Sequence, residues 1–418
     1  MKRPAWLTRG ALAWGSYDVA SSTYMALVPA FYGLYFVQWV ARGQADADAV
    51  WGGVAALSVL LAAVLGPLAG AMADRAGRDV RVLGVLTTVC VGATLLLPLA
   101  SARGPLAAAL GFLVAQLAYT LAISVYDARL VHVAAREDLG AVSGLGWSLG
   151  LIGGIGAIFV ALALLHGLGK TEQLAAMPQV FAAAGVLFGL LAVPALRLLA
   201  QDGPQVPRGS PTEAASPWRS VLTTIRHWRR HREALRVLLA FFLVNDVVVT
   251  IQFFIAIVLS TRFGLSVAGL LWLGLLFHAI ALPSTVACGV LADRWGQRRA
   301  LVLMSGVLAL AILLLAFGHG TWVPAAAAVL LGLIFGALQA VFRSLYASLV
   351  PPRQAAELFG FNAVAGRLSA AIGPLIFGAA SSMLGGPTWA LCLLLVPLAA
   401  GALLLALSQP GSAQPEAA

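Results

Sequence analysis

The chain has 418 residues, 61% of them hydrophobic and 10% charged, with a mean hydropathy of +0.93 and a formal net charge of +10. A soluble domain carries about 25% charged residues, so this composition excludes an ordinary water-soluble globular protein. It describes a chain that crosses a bilayer many times.

Apolar runs of the roughly 20 residues needed to span hydrocarbon recur at 11–40, 50–73, 80–100, 105–128, 140–166, 177–200, 236–260, 266–291, 300–318, 321–347, 359–383 and 387–408. The expectation is an all-α polytopic membrane protein, with twelve transmembrane helices in two pseudo-symmetric six-helix bundles. The bundles are 1–200 and 236–418, joined by a linker at 201–235. Lys2, Arg3 and Arg9 precede or open the first run without a small-residue cleavage site, so it reads as a retained helix rather than a signal peptide.

In the first run Tyr17 and Asp18 are followed by Ser21 and Ser22, on the Asp18 side at helical spacing. An ionisable group inside a span costs roughly 2.5–3.5 kcal/mol on insertion scales and is by default a candidate functional residue. Asp18 reads as the counter-ion of an amine or as a proton site; a structural hydrogen bond to a neighbouring helix is the plain alternative. The second run ends in Gly70-Ala-Met-Ala-Asp74-Arg75-Ala-Gly77-Arg78. The fourth carries Gln116, Thr120, Ser124 and Asp127 along one stripe, which must face protein or water rather than lipid. The fifth is rich in glycine, from Gly144 through Gly146, Gly150, Gly153 and Gly154 to Gly156, which lets helices approach closely.

The linker is rich in Pro, Gly and Ser up to Pro217. Ser216 then stands as a helix cap, with Pro217 at the first helical position. Val221, Leu222, Ile225 and Trp228 follow on one face, opposite Arg219, Arg226, Arg229, Arg230 and Arg232. This is the pattern of a basic amphipathic helix lying on anionic lipid, or else of a solvated connector. In the second half, Asn245 and Asp246 stand about ten residues into the seventh run, with Thr250 one turn on. Gly289-Val-Leu-Ala-Asp293-Arg294-Trp-Gly296-Gln-Arg298 ends the eighth. Gln339 and Arg343 are one turn apart in the tenth, and Asn362 and Arg367 share the eleventh; either pair is placed to clamp a carboxylate. Asp127 and Arg343 occupy matching positions and would attract each other as a gate, unless Arg343 snorkels to the interface.

The two Gly-xxx-Ala-Asp-Arg-x-Gly words lie 219 positions apart. Tyr126-Asp127-Ala-Arg129-Leu130 lies 216 before Phe342-Arg343-Ser-Leu345-Tyr346, and Gly144 and Gly360 repeat that offset. A word repeated half a chain later marks a tandem duplication, and rocking of two halves is the expected mode of action. Of the 26 basic residues, 21 fall on the side of the N-terminus, four (Arg42, Arg103, Lys170 and Arg262) fall on the other, and Arg367 is within a span. This is positive-inside asymmetry. It places both termini in the cytoplasm and assigns the excess charge to orientation rather than to a nucleic-acid partner.

No metal-like spacing joins Cys90, Cys288 and Cys392, which read as small apolar packing residues. His132, His227, His231 and His278 lack partners at ligand spacing, and His166 and His319 fall in outside loops. Neither a phosphate-binding nor a nucleophile-elbow word occurs. No enzyme activity, metal or cofactor is expected, and a monomer is.

Together the twelve runs and the paired words resemble the major facilitator superfamily. Tyr17-Asp18-Val-Ala-Ser21-Ser22-Thr-Tyr24, Val142-Ser-Gly144-Leu-Gly146-Trp147-Ser-Leu-Gly150, Arg343-Ser-Leu345, Ala356-Glu357-Leu-Phe-Gly360, Gly366-Arg367-Leu-Ser-Ala370 and Gly373-Pro374 resemble its vacuolar-effluxer-like branch. Val19 replaces the Trp of that branch, Ser21 its Asn, and Asp127 stands where an Asn belongs. The resemblance implies a secondary transporter of a small polar, amino-acid-like solute, of efflux or proton-coupled type, in a bacterial inner membrane. It also implies that Gly70, Asp74, Arg75, Gly77 and Arg78, with Gly289, Asp293, Arg294, Gly296, Arg298 and Glu357, latch the halves and do not touch solute. A transporter-like receptor, or a carrier of amphiphiles such as drugs or lysolipids, is the alternative.

Overall fold

The computed structural model describes residues 7–74, 79–133, 139–201, 232–349 and 370–408. Among these residues the regular elements are helices. They are α1 (Arg9–Tyr35), which continues into a π-turn at Phe36–Val40, α2 (Ala47–Asp74), α3 (Asp79–Ala102), α4 (Pro105–Ala128), α5 (Leu130–Val133), α6 (Leu139–Leu164) and α7 (Lys170–Ala175). There follow α8 (Met177–Gln201), α9 (Arg232–Phe263), α10 (Val267–Trp295), α11 (Gln297–Phe317), α12 (Val323–Leu349), α13 (Ile372–Met383) and α14 (Pro387–Leu407).

Each of the twelve expected spans falls on a helix, and ten of these helices are long and apolar enough to cross a membrane. The other two have separate reasons. The first, α1, is 27 residues long, but Asp18 and its serines and tyrosines dilute its hydropathy. Only the 12-residue α13 of the eleventh span is described. The expected surface helix of the linker lies outside the described residues up to 231.

Local chemistry sets the helix ends. Thr8 caps α1 by accepting the Ala11 N–H at 3.0 Å. Two spans open on the same device: Gly104 (φ +110°) precedes Pro105, and Gly386 (φ +138°) precedes Pro387. The glycine takes a backbone angle closed to other residues, and the proline starts the helix without needing an N–H partner. A single glycine, Gly296 at φ +94°, separates α10 from α11, so the second latch word is helical up to Trp295.

The core is largely apolar, but polar groups share it and many large apolar side chains face outward. Ser21, Gln116, Asp246 and Thr250 are buried, whereas Leu106 is 75% exposed and Met383 83%. Apolar side chains outward and polar groups inward are what a lipid surround demands.

Two compact units emerge: the described residues of 1–47, 57–212 and 253–275, and those of 48–56, 213–252 and 276–418. In the first, α1 lies on α6 and α8, and α3 lies on α4 and α8. The α1–α6 crossing is close because α6 presents glycine: a Cβ on Gly153 would stand 2.0 Å from the Val19 carbonyl oxygen. Rings fill this unit, with Tyr32 stacked on Phe112 at 5.2 Å and Tyr24 on Tyr119 at 4.7 Å between ring centroids. In the second unit, α11 packs on α12 and α14, and α13 on α14. There Gly52 and Gly378 meet face to face; a Cβ on Gly52 would lie 2.3 Å from the Pro374 carbonyl oxygen.

Candidate functional site

The polar groups of the first unit gather where α1 meets α3, α4 and α6. Trp14 stacks on Tyr126 at 4.4 Å and donates its indole N–H to the Tyr126 carbonyl at 3.1 Å. The Tyr17 and Thr87 hydroxyls are 2.7 Å apart, and Tyr24 donates to Gln116 Oε1 at 3.1 Å. Half-buried Asp18 lies between α1 and α6, where Cβ atoms on Gly146 and Gly150 would stand 2.7 Å from its Oδ2 and 3.6 Å from its Cγ. The Tyr126 hydroxyl lies within electrostatic reach of Asp18 but outside hydrogen-bond geometry, and Asp127 acts on it from the same helix.

The expected stripe on α4 is only partly directed inward. Thr120 donates back to the Gln116 carbonyl and Ser124 to the Thr120 carbonyl, each at 2.8 Å, while Asp127 is exposed at the end of the helix. Ser21 likewise reaches the Asp18 carbonyl, at 3.4 Å, and Ser22 lies beside Gly150. Backbone carbonyls one turn earlier are the usual partners of hydroxyls inside spans. Thr87, Thr94, Thr250, Thr285 and Ser305 all use theirs.

In the second unit Gln339 on α12 donates to Asn245 Oδ1 on α9 at 2.7 Å. Asp246 is buried and accepts the Gly373 N–H, at the start of α13, at 2.8 Å; Thr250 stands beside it.

Among the latch residues, Gly70 lies in α2 and Gly289 in α10. Arg294 is exposed and Arg298 half-buried. Asp74, Asp293 and Arg343 are placed on helices by their backbones alone. Arg75, Gly77, Arg78, Glu357, Asn362 and Arg367 lie outside the described residues.

Sequence reasoning missed two constellations. Arg129, at the end of α4, is buried and pairs with Asp79 at the start of α3, while also donating to the Leu199 carbonyl in the last turn of α8 at 2.8 Å. One guanidinium thus ties three helix ends. Its position in a basic loop hid it; the clue was that its repeat counterpart, Leu345, is not charged. The second is Asp48, in the first turn of α2. It accepts from Ser381 on α13 while the Ala49 N–H donates to Ser382 Oγ at 3.0 Å.

The comparisons with known proteins cover the chain from end to end. The model of the family described as vacuole effluxer Atg22 like matches residues 132–418. The uncharacterized MFS-type transporter YxiO of Bacillus subtilis (strain 168) is 27% identical over 97% of this chain and 95% of its own length. Autophagy-related protein 22-1 of Aspergillus niger is 25% identical over 54% of this chain and 41% of its own. A mutant of the nucleoside transporter NupG superposes with a TM-score of 0.71 at 15% identity, covering 95% of this chain and 98% of that one. A bacterial homologue of the human lysosomal transporter Spinster, inward-facing and unoccupied, does so with 0.64 at 17% identity, covering 97% and 93%. At such identities these two structures speak for the fold alone. The family model over residues 132–418, the ten helices long and apolar enough to cross a membrane and the inward polar groups together make the chain a member of the vacuole effluxer Atg22-like family of major facilitator transporters.

Proposed function

We propose that the protein carries a small zwitterionic, amino-acid-like solute across a bacterial inner membrane by alternating access between the halves 1–200 and 236–418, with both termini in the cytoplasm. The observation that carries this reading is the set of inward polar groups: a carboxylate, carboxamides and tyrosines are buried within spans whose outer faces carry exposed leucines. Asp18 on α1, set among aromatic rings, suits an ammonium group, through charge and through the ring faces. The basic residues of the tenth and eleventh spans, Arg343 and Arg367, suit a carboxylate. Efflux driven by proton exchange at Asp18 fits the same arrangement. The protein works as a monomer, and the basic linker rests on anionic lipid.

Counterflow into liposomes with radiolabelled amino acids, nucleosides and sugars tests the reading. Amino acids are expected to exchange, and Asp18→Asn to reduce exchange at least tenfold. Failure of all three classes to exchange overturns the carrier in favour of a receptor; exchange of nucleosides or sugars alone overturns the amino-acid assignment.

Alternating access also assigns a task to Asp48. By the positive-inside orientation, the Asp48–Ser381 contact and the Gly52–Gly378 crossing lie on the outer side, and they must part whenever that side opens. Asp48→Ala is expected to raise maleimide labelling of a cysteine placed at Val50 severalfold in intact cells; unchanged labelling removes this contact from the gate.

A further inference from the structure

The two intramembrane aspartates sit in similar modules, one in each half, that differ in the backbone they face. Asp246 follows Asp18 by 228 positions, and Thr250 follows Ser22 by the same 228. The glycines they face, Gly146 on α6 and Gly373 on α13, are 227 apart, eleven beyond the Gly144–Gly360 offset, so the two partners are alike in kind and not in register. A Cβ on either glycine would stand 2.7 or 2.8 Å from the Oδ2 of the facing aspartate, and the Ser22 and Thr250 hydroxyls lie against the same glycine faces, at 2.8 Å from a Cβ on Gly150 and 2.1 Å from one on Gly373. Each half thus presses a carboxylate and a hydroxyl from its first span against glycine of its fifth.

The difference lies in the backbone. Gly146 sits inside α6, where its N–H belongs to the helix's own ladder. Gly373 is the second residue of α13, so its N–H is one of the orphan donors of a helix start, and it is spent on Asp246 Oδ1 at 2.8 Å. A buried anion at a helix N-terminus is favourable for both partners. Asp246 is accordingly sealed at 8% exposure, while Asp18 is half-buried and accepts no hydrogen bond of normal geometry among the described residues.

We propose that the halves have divided the module's work: Asp246 is a positioning residue that fixes the start of α13 through the Gly373 amide, and Asp18 alone exchanges charge with solute or proton. The second clause rests on the carrier reading above; the first does not. The groups that face Asp18 are Tyr119, Tyr126 and Asp127, all from α4; α6 offers glycine.

The full-length protein in detergent supplies the first test, by hydrogen exchange of the opening turn of α13 and by melting temperature. Asp246→Ala is expected to speed exchange there at least tenfold and to lower the melting temperature. Asp246→Asn, which keeps an acceptor oxygen, is expected to restore both. Protection unchanged in Asp246→Ala, or an Asp246→Asn protein that fails to fold or stays unprotected, overturns the positioning role. The second test is the pH profile of counterflow with radiolabelled amino acids. It is expected to flatten in Asp18→Asn and to keep its shape in Asp246→Asn; flattening in Asp246→Asn overturns the division. Absence of counterflow in the unaltered protein defeats the carrier reading and leaves the exchange result standing on its own.

Discussion

Arg129→Ala is expected to lower the unfolding free energy by about 3–5 kcal/mol, the range for removing one partner of a buried ion pair. The substitution removes the guanidinium from the Asp79 carboxylate at the start of α3 and the donor from the Leu199 carbonyl, so three helix ends lose their tie together. Lysine is expected to recover part of the loss, because a single ammonium cannot reproduce the planar fork that serves two acceptors. Pairing Arg129→Ala with Asp79→Ala is expected to be less damaging than Arg129→Ala alone, since no unbalanced charge remains. Thermal unfolding of the four proteins in one detergent is the measurement; a strictly additive double variant would show that the two side chains do not act as a pair.

Gly153→Val is the second substitution expected to be severe, costing about 3 kcal/mol or more. The atoms in the way are the carbonyl oxygen, carbonyl carbon and Cα of Val19, at 2.0, 2.8 and 2.9 Å from the Cβ position. Backbone cannot rotate aside as a flexible side chain does, so α1 would have to leave α6, and Asp18 would move with it. Gly156→Ala, three residues along the same helix, is the control. Nothing lies within 4 Å of its Cβ position, and alanine there is expected to be neutral or to stabilise by about 0.5–1 kcal/mol through helix propensity. Melting temperatures and surface expression of the two variants separate these outcomes; equal behaviour would mean that the close crossing is not maintained in the membrane.

The fold was legible because hydrophobic run length and turn chemistry act locally. The expected fourth span, 105–128, coincides with α4, since Gly104-Pro105 fixes its start and the charged pair Asp127 and Arg129 marks its end. The expected eighth span stops at 291, where the apolar run meets Asp293 and Arg294, whereas the helix continues to Trp295 and only Gly296 interrupts it. The polar residues of the candidate site were also visible, for an aspartate or glutamine in an apolar run cannot be overlooked. Their partners were not. Asp246 finds Gly373 127 positions away, and Asp79 finds Arg129 50 positions away in a stretch tallied as loop charge. Such pairs depend on which helices become neighbours, a property that periodicity within one helix does not contain.

The serines and threonines that bond to carbonyls one turn earlier bear on how the protein is made. A hydroxyl already satisfied by its own helix imposes no penalty when that helix enters lipid before its neighbours arrive, so Thr87, Thr94, Thr120, Thr250 and Ser305 leave their helices free to insert one at a time during synthesis. Gln116, Asn245, Gln339 and Asp246 have no such shelter and wait for tyrosine, amide or glycine from a helix made later or earlier. Biogenesis therefore splits into an insertion stage and an assembly stage, whose last polar contact to become available is that of α13, next to last in the chain, with the carboxylate of α9.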